Sequence, residues 1–227
     1  MKVTLISYSK PCTYLSNGDS EKTMQDLVAY CAKVSNPANQ NNTLTNDRLI
    51  RYLIKNNHWS PLEMVSICIE IETTRDIARQ ILRHRSFSFQ EFSQRYANVL
   101  DAASTLGFEN REARLQDNKN RQNSIETDNP ELSDKWLTLQ KQVAQEAETA
   151  YKWAIENGIA KEQARVVLPE GMTSSRMYMN GTLRSWVHYI QLRSGNGTQK
   201  EHREVALACA KAIEPIFPMI LEFISIE

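Results

Sequence analysis

One run constrains the fold more than any other: Val65-Ser66-Ile67-Cys68-Ile69-Glu70-Ile71-Glu72 alternates apolar and polar side chains without a break. Successive side chains of a strand point to opposite faces, so this run requires a strand with one face on an apolar core and one polar face. Cys68 falls on the Ser/Glu face, where it reads as a small filler at a sheet face or subunit contact. Met1 to Ser9 also alternates; its apolar core is too short for a secretory signal and reads as a second strand.

Helical periodicity occupies most of the remainder. After a turn at Gly18-Asp19-Ser20, Met24, Leu27, Val28 and Cys31 predict a helix running to about Val34, followed by a polar loop over 36–42. Another starts near Thr45, carries Leu49, Ile50, Leu53 and Ile54, and ends at Asn56-Asn57. Pro61 keeps His58-Trp59-Ser60-Pro61-Leu62-Glu63 from being helical throughout. Thr74 is placed to cap a helix on which Arg75, Arg79 and Arg83 share one stripe. Like charges at that spacing repel, so such a stripe fits a helix that meets an anion better than a purely structural one.

Residues 109–131 hold only Ala113, Leu115 and Ile125 as apolar residues and are expected to form a mobile polar excursion from a single domain spanning 1–227. Ser133-Asp134 then caps a long helix with Trp136, Leu139, Val143, Ala147, Ala150 and Ala154 on one stripe, closed by Asn157-Gly158. A short strand is expected over 176–181, followed by a helix capped at Thr182 that carries Arg184 and His188 on one face and ends at Arg193. The last helix opens on a capping-box pattern, Thr198-Gln199-Lys200-Glu201, and is kinked or ended by Pro215 and Pro218.

The chain is 41% hydrophobic with 27 basic and 27 acidic residues, which fits a globular domain and not a general nucleic-acid or membrane-surface binder. No apolar run approaches membrane-spanning length. Cys12, Cys31, Cys68 and Cys209 are scattered, with no zinc-like Cys/His cluster, so no metal site is expected and a reducing, cytoplasmic setting is. There is no Gly-rich dinucleotide fingerprint and no P-loop.

Against that neutral background, Arg83-His84-Arg85-Ser86-Phe87-Ser88-Phe89-Gln90-Glu91-Phe92-Ser93-Gln94-Arg95-Tyr96 concentrates four cations or potential cations in one short segment. The pattern Arg83-His84-Arg85, seven residues, Ser93, together with Glu91-x-Ser93-x-Arg95-Tyr96, resembles the flavin-dependent thymidylate synthases. Further similarity lies in His58-x-Ser60-Pro61-x-Glu63 and Arg165-x-x-Leu168-Pro169. Met64 stands where that family often has His, and Thr182 where it commonly has Asn.

This resemblance implies an α+β subunit, an antiparallel sheet flanked by long helices. It implies a homotetramer with FAD held between subunits by His58, Ser60, Arg83, His84, Arg85, Glu91, Thr182, Arg184 and His188. For dUMP it implies Gln80, Arg83, Glu91, Ser93, Arg95, Arg165 and Arg193, with Arg193 against the uracil as the catalytic residue. Methylenetetrahydrofolate is implied as carbon donor and NADPH as reductant.

The residues supply two needs of C5 methylation directly. Forked arginines bind phosphate or carbonyl oxygens by charge-assisted hydrogen bonds. Arg193, protonated at any working pH, can stabilise a ring anion. A cysteine attack at C6 would need an activated thiolate, and no cysteine has a His or Arg neighbour in sequence to provide one. Two other readings remain at this level: a flavoenzyme acting on another nucleotide, and a non-enzymatic oligomer that binds nucleotide or RNA through the same arginines.

Overall fold

The alternating run lies at the heart of a four-stranded antiparallel sheet. A computed structural model describes residues 1–12, 22–101 and 107–225; the expected turn at Gly18-Asp19-Ser20 lies outside them. In chain order the elements are β1 (Lys2–Tyr8), α1 (Met24–Ala32), α2 (Asn46–Lys55), β2 (Ser66–Thr74), α3 (Arg75–Ile81), β3 (Ser88–Glu91), β4 (Arg114–Gln116), β5 (Ser124–Glu126), α4 (Pro130–Glu156), α5 (Lys161–Ala164), β6 (Ser174–Thr182), α6 (Leu183–Arg193) and α7 (Lys200–Ile213). The sheet order is β1-β2-β6-β3.

Ile67, Ile69 and Ile71 of β2 are fully buried together with Met177 and Met179 of β6, and on this face they join Trp186, Tyr189 and Ile190 of α6 and Val205, Cys209 and Ile213 of α7 in one core. The helices cover one face of the sheet. Burying each such side chain contributes about 1.5–3 kcal/mol, which is what an alternating strand and amphipathic helices achieve together. Trp186 also donates its indole N–H to the Ile67 carbonyl at 3.0 Å, so its polar edge is satisfied within the core.

Register carries the site. β2 runs against β6 from Ser66↔Thr182 to Thr74↔Ser174. β3 pairs with β6 from Ser88↔Asn180 to Glu91↔Met177, which lays the end of the arginine-rich segment beside the strand leading into α6. The approach is close: a Cβ on Gly181 would stand 2.4 Å from Phe87 Cδ1. Glycine there lets Phe87 pack edge-on to Trp186, with ring centroids 4.9 Å apart, and this anchors the loop between Arg85 and Ser88.

Several sequence expectations change at element ends. α4 starts at Pro130, with Asn129 accepting from the Leu132 amide at 3.1 Å, and not at Ser133-Asp134. Thr198-Glu201 forms no capping box: α7 begins at Lys200 without a side-chain cap, because Glu201 is drawn instead to Gln199, Arg111 and Arg114. Thr74 does not cap α3 by its side chain; its hydroxyl donates to Asp76 at 2.7 Å. Residues 109–131, expected to form a polar excursion with little core, contain the β4–β5 hairpin. Little apolar surface holds it. Polar ties do so: Gln140 exchanges two 2.8 Å hydrogen bonds with the Arg111 backbone, and Lys200 bridges Glu112 and Glu126 at 2.7 and 2.8 Å.

Candidate active site

The arginine stripe resolves into two kinds of arginine. α3 ends at Ile81, so Arg83 lies beyond it and does not continue the row of Arg75 and Arg79. Arg75, 8% exposed, and Arg79 are neutralised from elsewhere: Glu91 lies 3.6 Å from Arg75 and 3.2 Å from Arg79, and Glu170 lies 3.8 and 3.2 Å from them. A charge that is nearly buried needs such partners. Glu91 also accepts from the Ser175 hydroxyl at 2.9 Å, so its carboxylate is engaged in tying α3, β3 and β6 together. Arg83 and Arg85 are exposed and form no ion pair with any described residue.

His84, between them, turns inward. Arg193, at the last turn of α6, donates Nε–H to His84 Nε2 at 2.9 Å. The ring therefore accepts at Nε2 and is neutral. Burial, then the positive charges of Arg193 and Arg83, push its pKa down to about 4. Tyr189 packs edge-on to it with centroids 4.9 Å apart, and His202 lies at 6.2 Å. Beside them Gln80 donates to Gln199 Oε1 at 2.7 Å and its Oε1 lies 3.2 Å from His202 Nδ1. The structure thus brings Gln80, His84 and Arg193 into one half-buried polar cluster. Arg193 meets an imidazole here and is not spent on the helix C-terminus.

A second group lies at the start of α6. Thr182 caps that helix, accepting from the Ser185 amide at 3.4 Å, and the Ser185 hydroxyl bonds the Ser86 carbonyl at 3.3 Å, which pins the loop carrying Arg85. Arg184 pairs with Glu63 of the short 3-10 helix Ser60–Met64. His188, one turn on from Arg184, packs edge-on to Trp59 with centroids 4.3 Å apart. His58 and Ser60 flank Trp59 at the surface, His58 edge-on to Tyr52 at 6.2 Å.

Arg95 and Arg165 share a partner that belongs to neither group. Arg95 is 3.3 Å from the Glu162 carboxylate and Arg165 donates to the Glu162 carbonyl at 3.3 Å, so two arginines distant in sequence share one anchor. No hydrogen bond or ion pair among the described residues joins Arg95 or Arg165 to Gln80, His84 or Arg193. Ser93 is exposed.

Three of the four cysteines are disfavoured as thiolates by burial. Cys209 is fully buried and its thiol pKa is pushed up by that burial, and burial raises Cys31 and Cys68 as well. Cys12 is exposed and precedes the undescribed residues. Among the described residues, no group of three or more His, Cys, Asp or Glu could hold a metal ion, and no helix is long and apolar enough to cross a membrane.

Sequence reasoning missed Gln199, His202 and Tyr189. Gln199 lies within the capping-box pattern, and the two rings sit among apolar helix positions. The available signal was polar: a His one turn before Val205 and Ala206 on a helix face otherwise committed to the core.

This arrangement, an exposed Arg-x-Arg pair flanking an inward His that holds the terminal arginine of a following helix, has the chemistry to meet an anionic ligand on an α+β frame. Residues 18–219 match the family model described as "Thymidylate synthase complementing protein". The chain is 44% identical over 220 residues to the "Probable flavin-dependent thymidylate synthase" of Paramecium bursaria Chlorella virus 1, covering 97% of each chain. It is 46% identical over 222 residues to the "Flavin-dependent thymidylate synthase" of Synechocystis sp., again covering 97% of each. The fold is that of the crystal structure of the UMP/dUMP methylase PolB from Streptomyces cacaoi, with a TM-score of 0.78 at 24% identity over 98% of this chain and 93% of that one. The chain belongs to the flavin-dependent thymidylate synthase family.

Proposed function

We infer that the protein carries out the reductive methylation of dUMP to dTMP, with FAD as bound cofactor, methylenetetrahydrofolate as carbon donor and NADPH as reductant. The observation that carries this reading is the pairing of Arg193 with a neutral His84. A guanidinium so held is pre-aimed and keeps its remaining N–H donors for a ligand, which suits stabilising negative charge that develops on a uracil ring. The PolB structure, determined with 5-Br dUMP, adds the nucleotide class by likeness.

FAD fits the residues present. Arg83 and Arg85 are exposed cations without ion-pair partners among the described residues, suited to a pyrophosphate, and the Trp59–His188 pair offers an aromatic edge beside Ser60, Thr182 and Arg184. When bound, reduced FAD supplies the hydride. The protein's part is to bind and orient: Arg95 and Arg165, anchored on Glu162, take phosphate or carbonyl oxygens, Ser93 positions by a hydrogen bond, and Gln80 and Arg193 address the base. Glu91, on the strand that follows Arg83 and Arg85, supports that segment from β3 by its ties to Arg75, Arg79 and Ser175.

Because no hydrogen bond or ion pair among the described residues links the Arg95–Arg165 group to the Gln80–Arg193 cluster within one chain, we read the working form as a homotetramer whose sites are shared between subunits, in the cytoplasm. A nucleic-acid-binding role is the second reading, and net charge zero weighs against it. The test is spectroscopic. Purified protein titrated with FAD should show a bound-flavin visible spectrum that shifts on adding dUMP. Colourless protein that binds RNA with steep salt dependence would favour the other reading.

A further inference from the structure

Beneath the site runs a chain of polar side chains whose direction is set at one end. Glu201 is anchored by Arg114 and lies 3.8 Å from Arg111. An ionised carboxylate can only accept. The Gln199 Nε2 group, 2.9 Å from Glu201 Oε2, is therefore the donor, which turns Gln199 Oε1 toward Gln80. Gln80 must then present its NH₂ to Gln199, at 2.7 Å, and its carbonyl oxygen to His202 Nδ1, at 3.2 Å. Nδ1 consequently carries the ring proton, and each link fixes the next.

His202 is completely buried, and its Nε2 has no hydrogen-bond partner. That is the pattern of a neutral ring protonated at Nδ1, since a proton on Nε2 would have no acceptor. Burial, then Arg193 and His84, lower its pKa to about 3, in keeping with that tautomer. The ring also packs 5.8 Å from Tyr189 and 6.2 Å from His84, next to the residue that holds Arg193. A buried imidazole with one satisfied and one orphaned nitrogen is an expensive way to fill a core position that Ile or Leu would fill at no polar cost.

We propose that His202 is a positioning residue for the thymidylate synthase reaction: together with Gln199 it locks the Gln80 carboxamide in one orientation, with one N–H and one oxygen lone pair left to address the uracil nucleotide. This rests on the reading of Gln80 as a dUMP ligand. Without His202 the amide is free to turn, and the ligand meets a donor where it needs an acceptor for part of the time.

Two substitutions separate positioning from packing. Phenylalanine keeps the ring and loses the donor, whereas asparagine loses volume and places an N–H near the position of Nδ1. The assay is dUMP binding to the FAD-loaded protein, followed by the flavin spectrum, with Tm and kcat at saturating dUMP alongside. His202→Phe should weaken dUMP binding about 3- to 10-fold, the usual worth of one neutral hydrogen bond, while Tm, flavin content and saturated kcat stay near wild type. His202→Asn should lower Tm yet bind dUMP better than His202→Phe. The double variant Gln80→Ala/His202→Phe should bind no worse than Gln80→Ala alone, because the two residues act as one unit.

If Gln80→Ala weakens dUMP binding and His202→Phe does not, the ligand reading stands and the positioning role is overturned. Normal dUMP binding by Gln80→Ala would remove both. An order of dUMP affinity that follows Tm, with Phe above Asn, would reduce His202 to core packing. Should His202→Phe fail to fold, Gln199→Leu breaks the same relay from its other end and must weaken dUMP binding, normal binding counting against the proposal.

Discussion

Arg193 is held by a neutral imidazole, so its charge is available to a ligand. Removing one such charge-stabilising donor typically costs ~10²–10³ in rate. Arg193→Ala should therefore slow dUMP-dependent flavin reoxidation by about that factor in stopped flow while flavin content is kept, and Lys should recover only part, having charge without the fork. Wild-type rates in flavin-loaded Arg193→Ala would remove the role. The half-buried His84 and the buried His202 also make stability depend on pH in a definite direction. Their folded pKa values, about 4 for His84 and about 3 for His202, lie below the ordinary value of 6.5. Below that value the unfolded chain binds protons that the folded chain refuses, so stability falls as pH drops from 6.5 toward 4. His202→Phe should shrink this loss, seen as a shallower fall of Tm between pH 7 and about 5; parallel curves would mean that His202 does not titrate as described. Gly181→Ala should cost about 1–3 kcal/mol in urea unfolding, because its Cβ would collide with Phe87.

Among the elements, β2 and α6 were legible in the sequence, because period 2 and period 3.6 record burial and both elements are buried on one side. The hairpin over 114–126 was not, since ion pairs to Lys200 and Glu201, more than seventy residues away, hold it where apolar residues do not. For the same reason the arginines of α3 read as a ligand-facing stripe: the glutamates that neutralise Arg75 and Arg79 come from β3 and from Glu170 ahead of β6. In the site, Arg83, His84, Arg85 and Arg193 were named from pattern, but the His84–Arg193 bond and the Gln199–Gln80–His202 relay depend on how α3, α6 and α7 meet, which no spacing in the chain records. Two expectations follow at this scale. Glu91→Gln leaves Arg75 nearly buried with Glu170 as its remaining acidic partner, and should destabilise by about 3 kcal/mol at most, the low end for breaking a buried pair; an unchanged urea midpoint with lost activity would make Glu91 a ligand contact only. Arg114→Ala should loosen the hairpin, so that trypsin cuts at Lys119 or Arg121 in its turn faster than in wild type. Equal cutting rates would mean that the ion pairs do not hold it.

For the molecule as a whole, α4 and the segment after it expose Trp136, Val143, Trp153 and Val166, at 44%, 51%, 59% and 83%. Of the helical stripe from Trp136 to Ala154, only Ala147 and Ala154, in its C-terminal half, are buried. Exposed apolar side chains of this size suit a subunit contact, which is the assembly proposed above. Light scattering should give four times the chain mass of 26.1 kDa, and a monomer that turns over dUMP would contradict the shared site. The reaction itself is measured by dTMP formation. Purified protein given FAD, NADPH, methylenetetrahydrofolate and dUMP should release dTMP in step with NADPH oxidation, and should do so still when all four cysteines are replaced by Ser. No dTMP from folded, flavin-loaded protein, or turnover abolished by a single cysteine substitution that spares fold and flavin, would contradict it.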